Sequence, residues 1–334
     1  MADLAGTRVL LVLATSTGGV GEHVRSLAAG LSARGATVTV ACPSSTQAAF
    51  GFDRHVAVEI GSRPAPSDLA VLRRLRALAR DHDVVHAHGL RAGALVPRGS
   101  VVTWHNAQLT GSPVGALLER LVARRARVTL AASADLADRA RELGARDVRV
   151  APVSAPDRVA TGRDPGLGHP LVLAIGRLHP QKGYDVLLRA LPLLGDAVVA
   201  VAGDGPLRGS LEMQAPEVRW LGHRDDVADL LAAADVVVLP SVWEARSLTA
   251  QEAMRAGRPL VATAVGGVPD LVGDGAVLVA PGDADALGAA VRRLLDDPAA
   301  ATALGERARV VAATWPTPDD AVDLVVAAYR VALP

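Results

Sequence analysis

Apolar runs of strand length recur along the chain, and stretches with helical apolar spacing lie between them. The runs are rich in β-branched residues, a pattern typical of parallel strands that are covered on both faces. It predicts two doubly wound parallel α/β domains. One series of runs occupies 9–13, 37–41, 84–86, 101–104, 128–132 and 148–151, and the other occupies 171–175, 198–202, 218–221, 236–239, 260–262 and 276–279.

The domain boundaries follow from the same pattern. Residues 152–170 are rich in proline, glycine and polar side chains and lack apolar periodicity, which is typical of a connecting segment. We expect a Rossmann-like domain over 1–155, a linker over 156–170 and a second Rossmann-like domain over 171–315. In the segment 316–334, prolines and acids mark the start of a helix predicted over 319–331, and we expect this segment to pack back on the N-terminal domain.

Composition excludes several classes of protein. A chain of 334 residues, half of them hydrophobic, can bury the cores of two domains. The sole cysteine, Cys42, excludes an internal disulfide framework, and no Cys/His group has zinc-ligand spacing. The run at 9–13 is too short for a signal-peptide core, and no stretch reaches the roughly 18 apolar residues of a membrane span. We therefore expect a cytoplasmic protein.

The net charge is zero but unevenly placed, +7 over residues 1–150 and −7 over 151–334. One interpretation is a basic surface that meets an anionic substrate or the anionic inner face of a membrane, and the other is a set of solvated helix faces. Nothing predicts nucleic acid as a partner. Much of the N-terminal excess comes from Arg73, Arg74, Arg76 and Arg80, and from Arg120, Arg124, Arg125 and Arg127.

Among 34 arginines the chain has one lysine, Lys182, in the loop after the run at 171–175. An ammonium is a compact charge that fits between phosphate oxygens, whereas a guanidinium is a wide planar fork. Arg177 precedes Lys182 by five residues, and a helix is predicted over 184–194. The two cations ahead of a helix N-terminus form a candidate diphosphate clamp. The alternative is that Lys182 is a lysine without a function on a solvated loop.

A glycine-rich turn, Ser16-Thr17-Gly18-Gly19-Val20-Gly21, joins the first run to a helix expected to begin near Glu22. Glycines there let backbone N–H groups approach an anionic ligand. The spacing is not that of a dinucleotide fingerprint, and no ribose-binding acid follows the second run. The turn therefore favours a close backbone approach over nicotinamide binding.

Two glutamates follow the run at 236–239. Glu244 lies in the predicted loop, and Glu252, eight residues later, lies about one turn inside a helix that begins near Ser247. Ligands of open α/β sheets bind at the carboxyl ends of strands. We expect both carboxylates to point toward one crevice at different depths, with a solvated helix face as the alternative.

Together these stretches resemble the retaining glycosyltransferases of family 4, in which two Rossmann-like domains face a cleft (the GT-B type). The likeness covers nearly the whole chain, including Gly18-Gly19 and Thr103-Trp104-His105-Asn106. Each motif is weak alone, but their order and spacing are specific. The other matching stretches are Gly176-Arg177-Leu178 with Gln181-Lys182-Gly183, Ala202-Gly203-Asp204-Gly205-Pro206-Leu207, 230–235, Pro240-Ser241, Glu244 with Glu252-Ala253-Met254, and Gly266-Gly267-Val268-Pro269.

The resemblance implies roles for individual residues. Arg177 and Lys182 would hold the diphosphate of a nucleotide sugar, Glu252 would bind the ribose hydroxyls, and Glu244 would lie near the transferred sugar. His105 would face that sugar from the acceptor side; a core histidine bonded to backbone is the alternative. The implied catalytic set is His105, Arg177, Lys182 and Glu244, and the donor-binding set is Gly18, Gly19, Gly176, Arg177, Lys182, Gly203, Glu244, Ala245, Arg246, Ser247, Leu248 and Glu252. We expect His86 and His88 to be structural or to line the cleft.

The resemblance also implies the reaction. A sugar would pass with retention from a nucleoside-diphosphate donor, with UDP or GDP as the nucleotide, to a small-molecule, lipid or glycan acceptor, without cofactor or metal. The family usually has glycines after the first glutamate, whereas this chain has Ala245-Arg246-Ser247. That departure leaves open a nucleotide-sugar-binding protein with altered catalysis, and an epimerase of sugar nucleotides is a further alternative.

Overall fold

The computed structural model describes residues 4–16, 18–106 and 112–333. The chain divides into two compact units, one formed by residues 1–154 with 316–334 and the other by residues 155–315. Each unit contains one parallel sheet, as the two series of apolar runs predict.

The first unit contains seven strands in the order β3-β2-β1-β4-β5-β6-β7, and all of its strand pairs are parallel. The strands are β1 (Arg8–Leu13), β2 (Thr37–Cys42), β3 (His55–Ala57), β4 (Val84–His88), β5 (Val101–Trp104), β6 (Val128–Ala131) and β7 (Val148–Val150). The helices are α1 (Gly19–Ala33), α2 (Ser44–Phe50), α3 (Asp68–Arg80), α4 (Leu90–Leu95), α5 (Pro113–Arg125), α6 (Ala134–Glu142) and, from the end of the chain, α14 (Pro318–Ala332).

Helix α14 packs with the first unit. Its N-terminus is fixed by a capping box, in which Thr317 and Asp320 satisfy each other's backbone N–H groups. Its apolar face, including Val322, Val325 and Tyr329, is buried in the same core as strands β1, β2 and β4 and helix α1.

The second unit contains six parallel strands in the order β10-β9-β8-β11-β12-β13. They are β8 (Leu171–Ile175), β9 (Val198–Ala202), β10 (Arg219–Gly222), β11 (Val236–Leu239), β12 (Leu260–Thr263) and β13 (Val277–Val279). The helices are α7 (Tyr184–Ala190), α8 (Arg208–Gln214), α9 (Val227–Ala233), α10 (Leu248–Arg255), α11 (Val268–Val272), α12 (Ala284–Asp296) and α13 (Pro298–Ala312), with 3₁₀ turns at Pro180–Lys182 and Leu191–Leu193.

Both faces of the second sheet are buried. Along β8, Val172 and Ala174 lie in one hydrophobic core with α7 and α12, whereas Leu171 and Leu173 lie in the other with α9 and α10. Side chains of a strand alternate between the two faces. Apolar residues at every position of β8 are therefore what a sheet between two helical layers requires.

Several predicted boundaries are wrong. Strand β4 extends two residues beyond the predicted end at 86, and the short strand β3 was not predicted. The helix predicted over 184–194 ends at Ala190, because Pro192 has no N–H to continue it, and a 3₁₀ turn follows. Helix α1 begins at Gly19 instead of near Glu22.

The segment 156–170, predicted as a linker, is part of the second unit. Asp229 on α9 accepts hydrogen bonds from the backbone of Thr161 and Gly162 and from the Thr161 hydroxyl. Side-chain acceptors thus anchor a segment that has no regular secondary structure.

The helices within residues 4–16, 18–106 and 112–333 include none with the length and apolar character needed to cross a membrane.

Candidate functional site

The second sheet has its switch point between β8 and β11, where the strand order reverses. Ligands of doubly wound sheets bind outside the carboxyl ends of the strands at this point. The structure places Lys182, after β8, and Glu244, after β11, together there. Lys182 Nζ donates a hydrogen bond to Glu244 Oε1 at 2.5 Å, and the Ser241 hydroxyl donates to the same oxygen at 2.8 Å. A cation and an anion from loops 62 residues apart therefore share the crevice.

Glycines hold these loops backbone to backbone. Gly183 has φ +63°, and a Cβ there would lie 2.0 Å from the Pro240 carbonyl oxygen. Gly203 has φ +142°, and a Cβ there would lie 2.0 Å from the carbonyl oxygen of Gly176. Residues with a side chain would push the loops after β8, β9 and β11 apart. Gly176 and Gly203 thus shape the floor beside Lys182, the place expected for donor-binding glycines.

Arg177 is not part of the Lys182–Glu244 ion pair. Its side chain is exposed, and it has no ion pair with another described residue. Of the two cations of the predicted clamp, Lys182 is held by Glu244, and Arg177 is exposed to solvent. A diphosphate would have to draw both cations onto itself.

The N-terminus of α10 follows Glu244. Ser247 is its N-cap, and the Ser247 hydroxyl accepts a hydrogen bond from the backbone N–H of Ala250. The preceding backbone N–H groups, from Ala245 to Leu248, donate no hydrogen bond to another described residue. Free N–H groups at a helix N-terminus form a binding site for phosphate or hydroxyl oxygens.

Glu252, the predicted ribose ligand, lies on α10 and is mostly buried. Arg158 from the segment before β8 donates a hydrogen bond from Nε to Glu252 Oε1 at 3.1 Å. The same segment is held to α10 by Gln251, which accepts the Ala155 N–H at 3.0 Å, and by Arg255, which donates to the Ala155 carbonyl. Sequence reasoning missed Arg158 because its segment has no periodic pattern to place it beside α10.

Arg246 lies against an aromatic ring. Its guanidinium carbon is 5.8 Å from the centre of the Trp315 ring, and its Nε is buried without a hydrogen-bond partner. Burial and the nearby Arg255 lower the pKa of Arg246 to about 10. The Arg246 side chain is therefore not simply exposed to solvent, because it is partly buried. It is also not paired with an acid, since no described carboxylate forms an ion pair with it.

The first sheet has its own switch point, between β1 and β4. The turn after β1 leads into α1, with Gly18 as the N-cap and Gly19 as the first helical residue. A Cβ at Gly18 would meet no atom of another described residue within 4 Å, so none of these residues fills the space beside Gly18 at the helix N-terminus. Thr17, in the middle of the predicted turn, lies outside the described residues.

Three histidines line this switch point. His105 follows β5, His88 ends β4 and His23 lies in the first turns of α1. His88 Nδ1 and His105 Nε2 share a hydrogen bond of 3.2 Å, so the partner of the His105 ring among the described residues is a side chain. Burial lowers the pKa of His23 to about 4. Burial also lowers the pKa values of His88 and His105, and repulsion by the neighbouring histidines lowers them further. All three imidazoles are neutral near pH 7.

His86 has a structural role, one of the two expected for it. Its two ring nitrogens share hydrogen bonds with the Tyr329 hydroxyl at 2.9 Å and the Thr103 hydroxyl at 2.7 Å. The side chain is fully buried, and burial, with a contribution from His23, lowers its pKa to about 3. His86 therefore connects α14 to the sheet.

Fold and site together define a class: two parallel α/β units with Rossmann-type strand order, the second with an ion pair and a helix N-terminus at its switch point. Comparison with known proteins agrees. The model of the family "Glycosyl transferase 4-like domain" matches residues 18–156, and that of "Glycosyl transferases group 1" matches residues 169–297. Glycogen synthase of Mycobacterium tuberculosis is 31% identical over 355 aligned residues, which cover 87% of this chain and 86% of that protein.

The chain belongs to the family-4 type of glycosyltransferases. It is a glycosyltransferase of the GT-B fold that uses a nucleotide-sugar donor. D-inositol 3-phosphate glycosyltransferase of Mycolicibacterium paratuberculosis is 37% identical over 186 residues, half of this chain and 42% of that protein. Among solved structures, HepE of Anabaena in complex with UDP and glucose superposes with a TM-score of 0.82 at 18% identity, covering 96% of this chain and 99% of HepE.

Proposed function

We propose that this glycosyltransferase transfers a sugar with retention at the anomeric carbon, without a metal ion, to an acceptor bound by residues 1–155. The observation that carries the donor side is the Lys182–Glu244 pair at the switch point, beside the free N–H groups before α10. A departing nucleoside diphosphate builds up negative charge. A fixed ammonium and a helix N-terminus can stabilise that charge where no metal ion is used.

The donor would be held by residues on three loops. Lys182 and Arg177 take the diphosphate, Glu252 accepts hydrogen bonds from the ribose hydroxyls, and Glu244 lies near the transferred sugar. Gly18, Gly19 and His105, in the first unit, are the further residues that we assign to the donor. HepE was crystallised with UDP and glucose, so UDP sugars are the first donors to test, followed by GDP sugars.

Retention fits the carboxylates near the site. Glu244 accepts hydrogen bonds from Lys182 and Ser241, and Glu252 accepts one from Arg158. Both carboxylates are therefore held by side chains of the protein, and we assign neither as an enzymic nucleophile. Assistance by the leaving phosphate to the incoming hydroxyl would explain this arrangement.

The first experiment is a thermal-shift panel of UDP, GDP and ADP and their sugars. A ligand at 100 times its dissociation constant stabilises the fold by about 2.7 kcal/mol. The nucleotide that binds is then used in transfer assays with a chelator present, and the anomeric configuration of the product is read by NMR. Arg189→Ala, an exposed cation on α7 paired with Asp185, is the control for Lys182→Ala.

Each rival has its own outcome in these assays. Binding without transfer or donor hydrolysis would indicate a protein with altered catalysis. Release of a new free sugar nucleotide without acceptor would indicate an epimerase. An inverted product would overturn retention, and loss of transfer on chelation that Mg²⁺ restores would overturn metal independence.

For the acceptor side, helix α5 supports contact with an anionic membrane. Val114, Leu117 and Leu121 are exposed by 61%, 69% and 40%, at the spacing of one helical stripe, and Arg120 and Arg124 lie exposed beside them. Interfacial helices combine an apolar stripe with flanking cations in this way.

The membrane proposal is tested by sedimentation with anionic and zwitterionic vesicles. We expect binding to anionic vesicles alone, and Leu117→Glu should abolish it. Val310→Glu, at an equally exposed valine on α13, should not. Equal loss in both variants, or no binding, would refute the contact.

A further inference from the structure

The three histidines at the switch point of the first sheet form a compact cluster of potential metal ligands. One ring nitrogen from each of His23, His88 and His105 lies within 4.8 Å of the others. The side chains are 8%, 2% and 7% exposed. Strands β4 and β5 are neighbours in the sheet, and the His23 ring on α1 lies with its centre 5.5 Å from that of His88 and 5.3 Å from that of His105.

The cluster has more ring nitrogens than hydrogen-bond partners. Only His88 Nδ1 and His105 Nε2 are joined, by one bond. His88 Nε2 is buried with no partner, and His23 makes no hydrogen bond with another described residue. A buried polar atom without a partner costs about 1–3 kcal/mol. Several nitrogen lone pairs without hydrogen-bond donors in so small a space indicate a ligand that accepts lone pairs, which is a metal ion.

We propose that His23, His88 and His105 bind one Zn²⁺ ion, or a similar divalent transition-metal ion, and that the bound ion inhibits transfer. With Zn–N distances of about 2.0–2.1 Å and tetrahedral angles, two ligand nitrogens lie roughly 3.3–3.4 Å apart. The His88–His105 pair, at 3.2 Å, already has this separation. His23, whose ligand nitrogen lies within 4.8 Å of the other two, would be the third ligand, with water as the fourth.

The donor type selects the metal. Neutral imidazoles suit Zn²⁺, Co²⁺, Ni²⁺ and Cu²⁺, whereas Mg²⁺ and Ca²⁺ prefer oxygen ligands. The ring nitrogens need not lose a proton to solvent on binding. The histidine that donates the shared hydrogen bond moves its proton to its other ring nitrogen, which frees both facing nitrogens for the metal.

Inhibition rests on the proposed function, because His105 is the residue expected to face the transferred sugar. A metal ion on His105 Nε2 would fix the ring and occupy the space beside it. The transferase would then need no metal ion for activity, yet free Zn²⁺ would inhibit it.

The binding test uses the full chain, stripped with a chelator and titrated with Zn²⁺ alone by calorimetry. We expect one ion per chain, and Co²⁺ should give the intense visible bands of a tetrahedral site. His23→Gln should weaken binding by more than about 10²-fold, beyond the effect of outer-shell changes. His223→Gln, at an exposed histidine in the second unit, should change nothing.

Equal Zn²⁺ affinity in the unmutated chain and in His23→Gln would overturn the site. Absence of tetrahedral Co²⁺ bands in the unmutated chain would also overturn it, and this measurement does not depend on the folding of a variant. In the transfer assay, Zn²⁺ should slow turnover and EDTA should restore it, whereas Mg²⁺ should have no such effect. Undiminished turnover with one Zn²⁺ bound would refute inhibition. Failure of all transfer would refute the proposed function and leave the binding result standing.

Discussion

Mild acid should destabilise the first unit, because that unit buries neutral histidines. In the folded state the pKa of His23 is about 4 and that of His86 about 3, against 6.5 for an ordinary histidine. Below pH 6.5 the unfolded chain binds protons that the folded unit excludes. Stability therefore falls as the pH drops through 6.5, and these groups have no effect well above it.

The magnitude follows from the two pKa values. Between about pH 7.5 and about pH 5.5, the two histidines together remove roughly 3 kcal/mol from the free energy of unfolding. His88 and His105, whose pKa values are also lowered, act in the same direction. At about 2–4 °C per kcal/mol for a unit of this size, the melting temperature should fall by roughly 6–12 °C or more.

The assay is calorimetry of the full chain at both pH values. Two transitions are expected, and the one that donor nucleotide raises belongs to the second unit. His23→Gln should reduce the pH dependence of the other transition by about half of the two-histidine effect, and His223→Gln should leave it unchanged. A shift below about 2 °C, or the same shift in His23→Gln as in the unmutated chain, would refute the reasoning.

Four further outcomes are expected. Lys182→Ala should lower kcat/KM by roughly 10² or more without unfolding the protein, and normal turnover would remove Lys182 from the site. Glu252→Gln should weaken donor binding by about 1.5–3 kcal/mol in calorimetry; unchanged affinity would mean that Glu252 does not bind the ribose. Arg246→Leu should lower the melting temperature of the second unit by no more than about 2–4 °C, since this cation has no carboxylate partner among the described residues and loses only its contact with the Trp315 ring; a larger loss would refute that account. Gly203→Ala should cost more than about 2 kcal/mol of unfolding free energy, whereas Gly209→Ala, where a Cβ meets nothing within 4 Å, should be neutral or stabilising; equal effects would contradict the close packing.

The sequence by itself determined the architecture, for a physical reason that is local. A strand covered on both faces must be apolar at successive positions, as in β8 and β11, and consecutive residues of the sequence show this pattern directly. The same local logic places Lys182 and Glu244 just after strands, at the edge where parallel sheets bind ligands. Strand β3 was not predicted because it is an edge strand of three residues whose side chains are partly exposed.

Only the tertiary structure decided which polar residues meet. His86 and His88 interrupt an apolar run, so the sequence ended β4 too early, yet both are buried because they bond or contact residues from other elements. Arg158 reaches Glu252 from 94 residues away, and Arg246 turns toward Trp315. Such partners depend on strand order and on the packing of segments far apart in the chain. The apolar pattern within one segment does not predict them.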